Sequence, residues 1–493
     1  MNVLVDATHV PHGRCNQEME QSMGLSVTTQ NAIIKKADVD RYQLVLFNRT
    51  GSVVVVRSSD DNSYSLPIMG VPRFTRLAEE LTTLLRSRWS VETVLLFAGA
   101  SAESPKAHLY AVLEVQDGKC PAMKSAAWLS VQQALQFLGE TEGALILKSA
   151  YGKAAQRQSA STVGPFGKLG WLQDLHDWVS HVVNPLGMKL KHFQQLNGSE
   201  TFSLIRFDTT KQPVWFKAVG KPNVHEYVIA QALAQLLPSY VPNVLATKPE
   251  WHAWLMSNAE GVTLWEAQTS TACQTAVKTL AYLQFESLGM TNVLLDANCR
   301  DLRAPALLEQ VDPFFDTVAK LMRQQTKIPP PILTCHELTD LRATLKDALH
   351  CLAATQIPDS LGHSDFNPAN IIVGPERCVF LDWAEAHVGH PFLTFEYLIA
   401  HLHRSGPASP KFEDKIRSTY RERWACATSP EQVDEAFASS PLVAVFAHAV
   451  TTNIWRDPVG LKIPGVAGHF RSLTRRMKQE ADGIRLQRVS WLN

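Results

Sequence analysis

The chain has 493 residues, 45% of them hydrophobic and 19% charged, with 25 Gly and 27 Pro. At ~150 residues per domain this length corresponds to roughly three folding units, and the composition excludes a disordered, collagenous or low-complexity protein. Lys and Arg number 47 and so do Asp and Glu. Without a basic excess, neither nucleic acid nor an anionic membrane is expected as a partner.

The cysteines at 15, 120, 273, 299, 335, 351, 378 and 426 contain no C-x-x-C pair, and their scatter suits a reducing compartment better than a disulfide framework. Residues Met1 to Gln17 lack an apolar run behind a basic patch, so no secretory signal is expected. The most apolar later stretch, Pro441–Trp455, carries His448, Thr451, Thr452 and Asn453 and is too short to span a bilayer. A cytoplasmic protein is expected, of oligomeric state that the sequence leaves open.

Residues 1–152 read as one α+β module. Gln43–Phe47 and Val53–Val56 are expected strands turned by Asn48–Gly51. Leu77, Leu81, Leu84 and Leu85 share a face of a helix expected from Phe74 to Arg88. Thr93–Phe97 and His108–Val115 read as strands and Ala126–Leu138 as a helix. The order of Tyr64-Ser-Leu-Pro-Ile-Met-Gly70, a helix and a strand faintly resembles a Nudix domain. Arg76 and Leu84–Trp89 stand where that family's Mg²⁺-binding glutamates belong, and Glu79 and Glu80 are out of register. Rather than a hydrolase, a degenerate binding or docking module, or an unrelated α+β fold, is expected.

Residues 153–168, small and polar through Gln156–Gly164, read as a linker. From 169 to 258 a small β-rich lobe is expected. Its elements are a helix over Leu169–Val182, strands Lys191–Leu196, Thr201–Phe207 and Val214–Val219, a helix His225–Leu237, and strands Val244–Lys248 and Ala253–Met256. Residues 259–493 read as helical, with a helix His336–Ala354 after the Pro329–Pro331 break and two short strands, Asn370–Val373 and Val379–Leu381.

The chemistry concentrates in Leu361-Gly-His363-Ser-Asp365-Phe-Asn-Pro-Ala-Asn370-Ile-Ile-Val and Val379-Phe-Leu-Asp382-Trp383. An H-x-D-x-x-x-x-N loop followed by a strand-borne Asp supplies the parts of phosphoryl transfer: one carboxylate to orient or deprotonate a hydroxyl, and an amide and a second carboxylate to grip Mg²⁺. The bland alternative is that Asp365 and Asp382 cap turns around a core histidine. At these residues the chain resembles the aminoglycoside phosphotransferase and choline kinase superfamily, with H-G-D-x-x-x-x-N and D-W, continued by Gly389 and Pro391. The resemblance implies an α+β, bilobal protein-kinase-like fold preceded by a separate α+β, Nudix-like domain. It implies Asp365 as catalytic base, His363 as support of the catalytic loop, and Asn370 and Asp382 as metal ligands, with ATP and Mg²⁺ as cofactors. Ser364 replaces the usual Gly, a change expected to affect backbone latitude alone. Thr394 replaces a common Asp and is expected to cap the following helix.

Lys217 interrupts the apolar strand Val214–Val219, and a buried lysine needs an anion; Glu226 is the candidate. The pair resembles the kinase lysine that contacts the α- and β-phosphates and its helix glutamate. An edge-strand lysine facing solvent is the alternative. Gly198 and Ser199 occupy the turn where relatives carry a phosphate-covering loop, though a plain hairpin reads the same way. Met256 and Asn258 stand, by position, at an adenine-binding hinge.

His387, His390, His401 and His403 suggest a metal, but i and i+2 on a helix do not share a face. Arg471, Arg475, Arg476, Lys478, Arg485 and Arg488 read as a solvated or ion-paired helix face. The expected function is ATP-dependent phosphorylation of a hydroxyl on a small molecule, such as an aminoglycoside, choline or sugar. The alternative is a nucleotide-sensing pseudokinase that acts through its N-terminal module. D-F-G and A-P-E signatures of protein kinases are missing. A cationic acceptor would need acidic residues, for which Glu385, Glu396, Asp414 and Glu422 are candidates.

Overall fold

The computed structural model describes residues 39–58, 63–73, 75–101, 108–123, 125–155, 164–267, 269–405 and 410–491. They fall into two units, one running to Tyr227 and taking in Asn243–Asn258, the other formed by Val228–Pro242 and Ala259–Asn493.

The first unit begins with strands β1 (Val39–Phe47), β2 (Val53–Arg57), β3 (Tyr64–Ser65) and β4 (Ile68–Pro72), helix α1 (Leu77–Trp89), and strands β5 (Thr93–Ala100), β6 (Leu109–Val115) and β7 (Ala126–Leu129). They form one sheet in the order β3-β2-β1-β6-β5, with β4 on β1 and β7 on β2. Side chains alternate faces along a strand, so Leu44 and Leu46 meet Leu81 and Leu85 of α1, while Val45 and Phe47 face a second core. Phe74 and the central linker residues 156–163 lie outside the described residues, as do Met1 to Gln17.

Ala126–Leu129 is a strand rather than the start of the expected helix, pairing with Val53–Val56. The helix α2 (Val131–Leu138) starts only after Ser130, which forms a reciprocal capping box with Gln133; that cap ends the strand and restarts the chain as helix. An unforeseen helix, α3 (Glu142–Ala155), follows, burying Ile146, Leu147, Ala150 and Ala154.

Helix α4 (Trp171–Val183) leads into β8 (Leu190–Gly198), β9 (Ser203–Thr209), β10 (Val214–Ala218), helix α5 (His225–Leu236), β11 (Val244–Lys248) and β12 (Ala253–Ser257). These five strands make an antiparallel sheet, β11-β12-β10-β9-β8. Its inward residues Ile205, Phe207, Phe216 and Leu255 share one core with Val45, Phe47 and Leu96 of the first sheet and with Trp171 and Leu175 of α4. The seam also has a polar lock. Buried Gln195 accepts from Leu95 N–H (2.7 Å) and donates to Leu95 C=O (3.1 Å), where both β5 and β8 carry a register shift. Gln195→Leu should therefore orphan a buried N–H and C=O and lower stability by about 1–3 kcal/mol. A urea-unfolding midpoint equal to wild type would show that the lock contributes nothing.

In the second unit, helices α6 (Leu264–Ala267), α7 (Ser270–Glu286), α8 (Thr291–Asp296), α9 (Ala304–Arg323), α10 (Cys335–Ala354), α11 (Phe392–Ser405), α12 (Pro410–Trp424), α13 (Pro430–Val450) and α14 (Val466–Trp491) surround two small sheets. One sheet is β13-β16-β17, with β13 (Val262–Thr263), β16 (Ile371–Val373) and β17 (Cys378–Phe380). The other is β14-β18-β15, with β14 (Arg300–Leu302), β15 (Ser360–His363) and β18 (Ala386–Gly389). Of these six strands, sequence patterning finds only β16 and β17. The others are equally short, and Val262–Thr263, Arg300–Leu302, Ser360–His363 and Ala386–Gly389 lack the unbroken apolar runs of Ile371–Val373 and Cys378–Phe380.

The apolar stretch at Pro441 belongs to the longer α13, which is long and apolar enough by length and composition to cross a membrane. Most of that helix packs within the unit, against Phe314, Phe392 and Trp455 among others. The basic residues of α14 are engaged: Arg475 donates to Pro331 C=O (3.0 Å), Lys478 pairs with Asp482 (2.6 Å) and Arg485 donates to Thr344 (2.9 Å). The Arg488 side chain lies outside the described residues.

Candidate active site

Strand β15 delivers His363 to the edge of a loop, and a glycine makes the approach possible. A Cβ on Gly362 would lie 2.1 Å from His387 Nε2, so any larger residue would push β18 away. His363 is buried and ties the loop together. Asp365 N–H donates to its Nδ1 (3.1 Å), which leaves the ring proton on Nε2 to donate to Leu381 C=O (2.9 Å). The Trp383 ring packs 4.8 Å from the imidazole, and Trp383 Nε1 donates to Phe380 C=O (3.1 Å).

The Asp365 carboxylate is held from both sides. Asn367 Nδ2 donates to Oδ1 (3.0 Å) and Asn370 Nδ2 to Oδ2 (3.1 Å). The Asn370 C=O accepts from Leu381 N–H (2.8 Å), so the residue before Asp382 is bonded to both His363 and Asn370. Asp382 itself adopts φ 63°, ψ 66°, a left-handed conformation that costs energy for a residue with a Cβ and that clusters at functional sites. Asp365, Asn370 and Asp382 are thus brought together within this unit.

Glu385 joins them. Burial, together with Asp365 and Asp382, outweighs the opposing pull of Arg300 and pushes its carboxyl up to about 7. Arg300 of β14 forms the ion pair with it. Sequence reading had no signal for this partner, because 85 residues separate the two and only the parallel β14–β18 pairing aligns Arg300 with His387. Asn367 was also missed, although its place two residues after Asp365 in a polar loop was a usable clue.

Both departures from the family pattern have a function that sequence reading did not foresee. The Ser364 hydroxyl is hydrogen-bonded to His387 Nδ1 (2.9 Å), so more than backbone latitude changes. Thr394 does not cap α11; it lies in the first turn and its Oγ1 accepts from His363 N–H (2.9 Å). It bolts α11 to β15.

The histidines do not form a metal cage. Among the described residues no group of three or more His, Cys, Asp or Glu side chains is placed to hold an ion, and His403 instead pairs with Glu413. Burial pushes His390 down to about 3 from its ordinary 6.5. With the folded pKa depressed, the unfolded chain takes up the proton first, so stability present near neutrality is lost as pH falls from 6.5 toward 3. Between about pH 7.5 and pH 5, wild type should lose on the order of 2 kcal/mol more than His390→Gln does. Equal losses by urea unfolding at both pH values would refute this.

In the first unit, Lys217 sits on the central strand β10, between Leu204 of β9 and Trp254 of β12. Its ammonium pairs with Glu226, in the first turn of α5, the two side chains being 17% and 4% exposed. It is therefore not an edge-strand lysine facing solvent. The Gly198–Ser199 turn is closed by local bonds: Gly198 N–H to Asn197 Oδ1 (3.0 Å) and Ser199 N–H to Phe202 C=O (2.9 Å). Thr201 C=O would lie 2.4 Å from a Cβ on Gly220, so the turn leans on the backbone just beyond β10. Met256 pairs with Trp215 and Val244, and Asn258 Oδ1 accepts from Trp215 Nε1 (2.9 Å).

A five-stranded sheet carrying a lysine–glutamate pair, and a helical body carrying the Asp365 loop, are the β-sheet and helical lobes of a kinase-like fold. Residues 221–425, less than half of the chain, match the model of the APH phosphotransferase enzyme family, and a small-molecule kinase is the class of enzyme this match supports. No curated protein matches the chain. Among solved structures it is similar to a choline kinase from Streptococcus pneumoniae, at 14% identity and TM-score 0.39 over 62% of this chain and 99% of that one. It is also similar to an ethanolamine kinase from Plasmodium vivax, at 12% and 0.41 over 70% and 92%. A third is the spectinomycin phosphotransferase APH(9)-Ia in complex with ADP and spectinomycin, at 12% and 0.38 over 63% and 98%.

Proposed function

We propose that the chain transfers the γ-phosphate of ATP to a hydroxyl of a small molecule, with Asp365 as the base. The observation that carries this reading is the interlocked loop, in which two asparagines hold the Asp365 carboxylate and a histidine holds its backbone N–H. A carboxylate fixed on both oxygens can accept the hydroxyl proton and orient the oxygen for in-line attack without first reorganising.

The residues fit a magnesium ion. With Asn370 Nδ2 committed to Asp365, its amide oxygen is the atom available as a ligand, and Asp382 adds a carboxylate; both are hard oxygen donors. Asp365 and Asp382 add a negative field to the burial that raises the Glu385 carboxyl, and a divalent cation would relieve that field. When bound, the ion would neutralise the β- and γ-phosphates. Lys217, positioned by Glu226, is assigned to the α- and β-phosphates, the Gly198–Ser199 turn to phosphate cover, and Met256 and Asn258 to the adenine. The N-terminal α+β module is read as a degenerate Nudix-like docking domain.

ADP release over a water background, with a panel of hydroxyl compounds and with or without Mg²⁺, tests the assignment. Nucleotide binding without any turnover would favour the pseudokinase instead. Lys217→Ala should raise the KM for ATP about 10–100-fold, the worth of a charged hydrogen bond. Because Glu226 is buried, the Lys217→Met/Glu226→Gln double variant should show the same KM defect with the fold restored. An unchanged KM in both would sink the lysine's role.

A further inference from the structure

The N-terminal module fastens the Gly198–Ser199 turn from both sides, which gives it a part in the nucleotide site; this rests on the assignment of that turn to the phosphates. All the residues involved lie in the first unit. The turn closes beside the strand that carries Lys217: Gly198 pairs with Ser203, and Ser203 with Ala218. Its own bonds are local, Ser199 N–H to Phe202 C=O (2.9 Å) and Thr201 N–H to Ser199 Oγ (3.1 Å). Bonds of this kind shape a hairpin tip but do not fix its height above the sheet.

The height is set from outside the hairpin. Strand β5 is the edge of the first sheet, and an edge strand leaves backbone N–H and C=O groups to be answered. At Leu95 both are answered by the side-chain amide of Gln195, a residue only 1% exposed. The same amide is the floor of the turn. Its Nε2 lies 3.5 Å from Ser203 Oγ, and a Cβ on Gly198 would overlap it. Gly198 therefore rests on a side chain whose position β5 fixes. On the other side of the turn, Glu200 pairs with Lys153 of α3 (2.5 Å). Lys153 is held against the module in its turn, its ammonium 4.5 Å from the centre of the Phe97 ring, two residues along β5 from Leu95. A free hairpin tip must be ordered when a ligand binds beneath it, at a cost in backbone entropy. A tip already held in place avoids that cost.

We propose that the N-terminal module is an integral part of the nucleotide site, with Gln195 and the Lys153–Glu200 pair as positioning residues that hold the Gly198–Ser199 turn over the phosphates of ATP. Neither fastening touches the nucleotide; both act through the turn.

The test is calorimetric titration of the full chain with Mg²⁺-ATP and, separately, with adenosine, which has no phosphates for the turn to cover. Gln195→Leu should weaken ATP about 5–30-fold, the cost of ordering one backbone residue, and leave adenosine near wild type. Lys153 and Glu200 are 34% and 36% exposed, so exchanging their charges buries none. Lys153→Glu should weaken ATP about 2–5-fold, and Lys153→Glu/Glu200→Lys should recover most of that loss. If Gln195→Leu does not fold, the charge exchange carries the test. Unchanged ATP affinity in the variants, an exchange that recovers nothing, or an equal loss of adenosine would overturn the proposal. Ser199→Asp, which puts a negative charge in the turn itself, separates the positioning role from the assignment beneath it. If Ser199→Asp weakens ATP and the Gln195 and Lys153 variants do not, the turn keeps its phosphates and the module loses its part. If Ser199→Asp leaves ATP affinity unchanged, the phosphate assignment fails and the positioning role falls with it.

Discussion

Asp365→Asn should reduce phosphoryl transfer by about 10²–10⁴-fold while leaving Mg²⁺-ATP binding near wild type. The amide keeps the size of the side chain but cannot take a proton. It also replaces one oxygen that now accepts from Asn367 or Asn370 with a donor, so the loop loses a fixed orientation as well as a base. Asp382→Asn should behave differently. It removes charge from the proposed metal site and leaves the His363–Leu381–Asn370 bonds in place, because these run through backbone carbonyl and amide groups. Nucleotide affinity should therefore fall together with turnover, and only when Mg²⁺ is present. Calorimetric titration of ATP with and without Mg²⁺ separates the two. If Asp365→Asn loses nucleotide and Asp382→Asn retains it, the base and the metal ligand have been exchanged.

The largest effect on stability is expected at Arg417. Its guanidinium makes two bonds to Glu396 and a third to Glu413 (2.7 Å), and Glu396 is only 6% exposed. Burial already raises the Glu396 carboxyl against the pull of Arg417. Arg417→Met would leave a buried carboxylate unpaired at a cost of about 3–5 kcal/mol. The sign with pH follows from the raised folded-state pKa: the protonated form is favoured in the folded chain, so the group is best tolerated at low pH and its penalty grows as pH rises. The deficit should be larger at about pH 8 than at about pH 5. Glu396→Gln/Arg417→Met should recover much of it, since an amide replaces the unpaired charge. A deficit independent of pH in guanidinium unfolding would mean that lost packing against Phe395 and Phe437, rather than the buried charge, sets the cost.

Elements that bury one face of a regular period were legible in the amino-acid order. Helices α1, α4, α5 and α10, and strands β1, β2, β5, β6 and β8–β12, stand within a few residues of their expected positions. There the 3.6- and 2-residue periods are long enough to be counted, and a turn or cap marks each end. The H-x-D-x-x-x-x-N spacing likewise put Asp365 and Asn370 on one loop, because residues five apart in a tight turn cannot separate far. Tertiary structure alone decided the rest. The strands β14, β15 and β18 exist because distant segments pair, and that pairing sets Arg300 beside Glu385. The Gln195–Leu95 lock, the Thr394–His363 bond and the Tyr397–His448 bond each join segments 31 to 100 residues apart. A sequence carries local period and local hydrogen-bond chemistry directly, but the charge a site presents depends on which distant side chains have already neutralised one another. For Glu385 and Glu396 that was settled by two arginines no local pattern could assign.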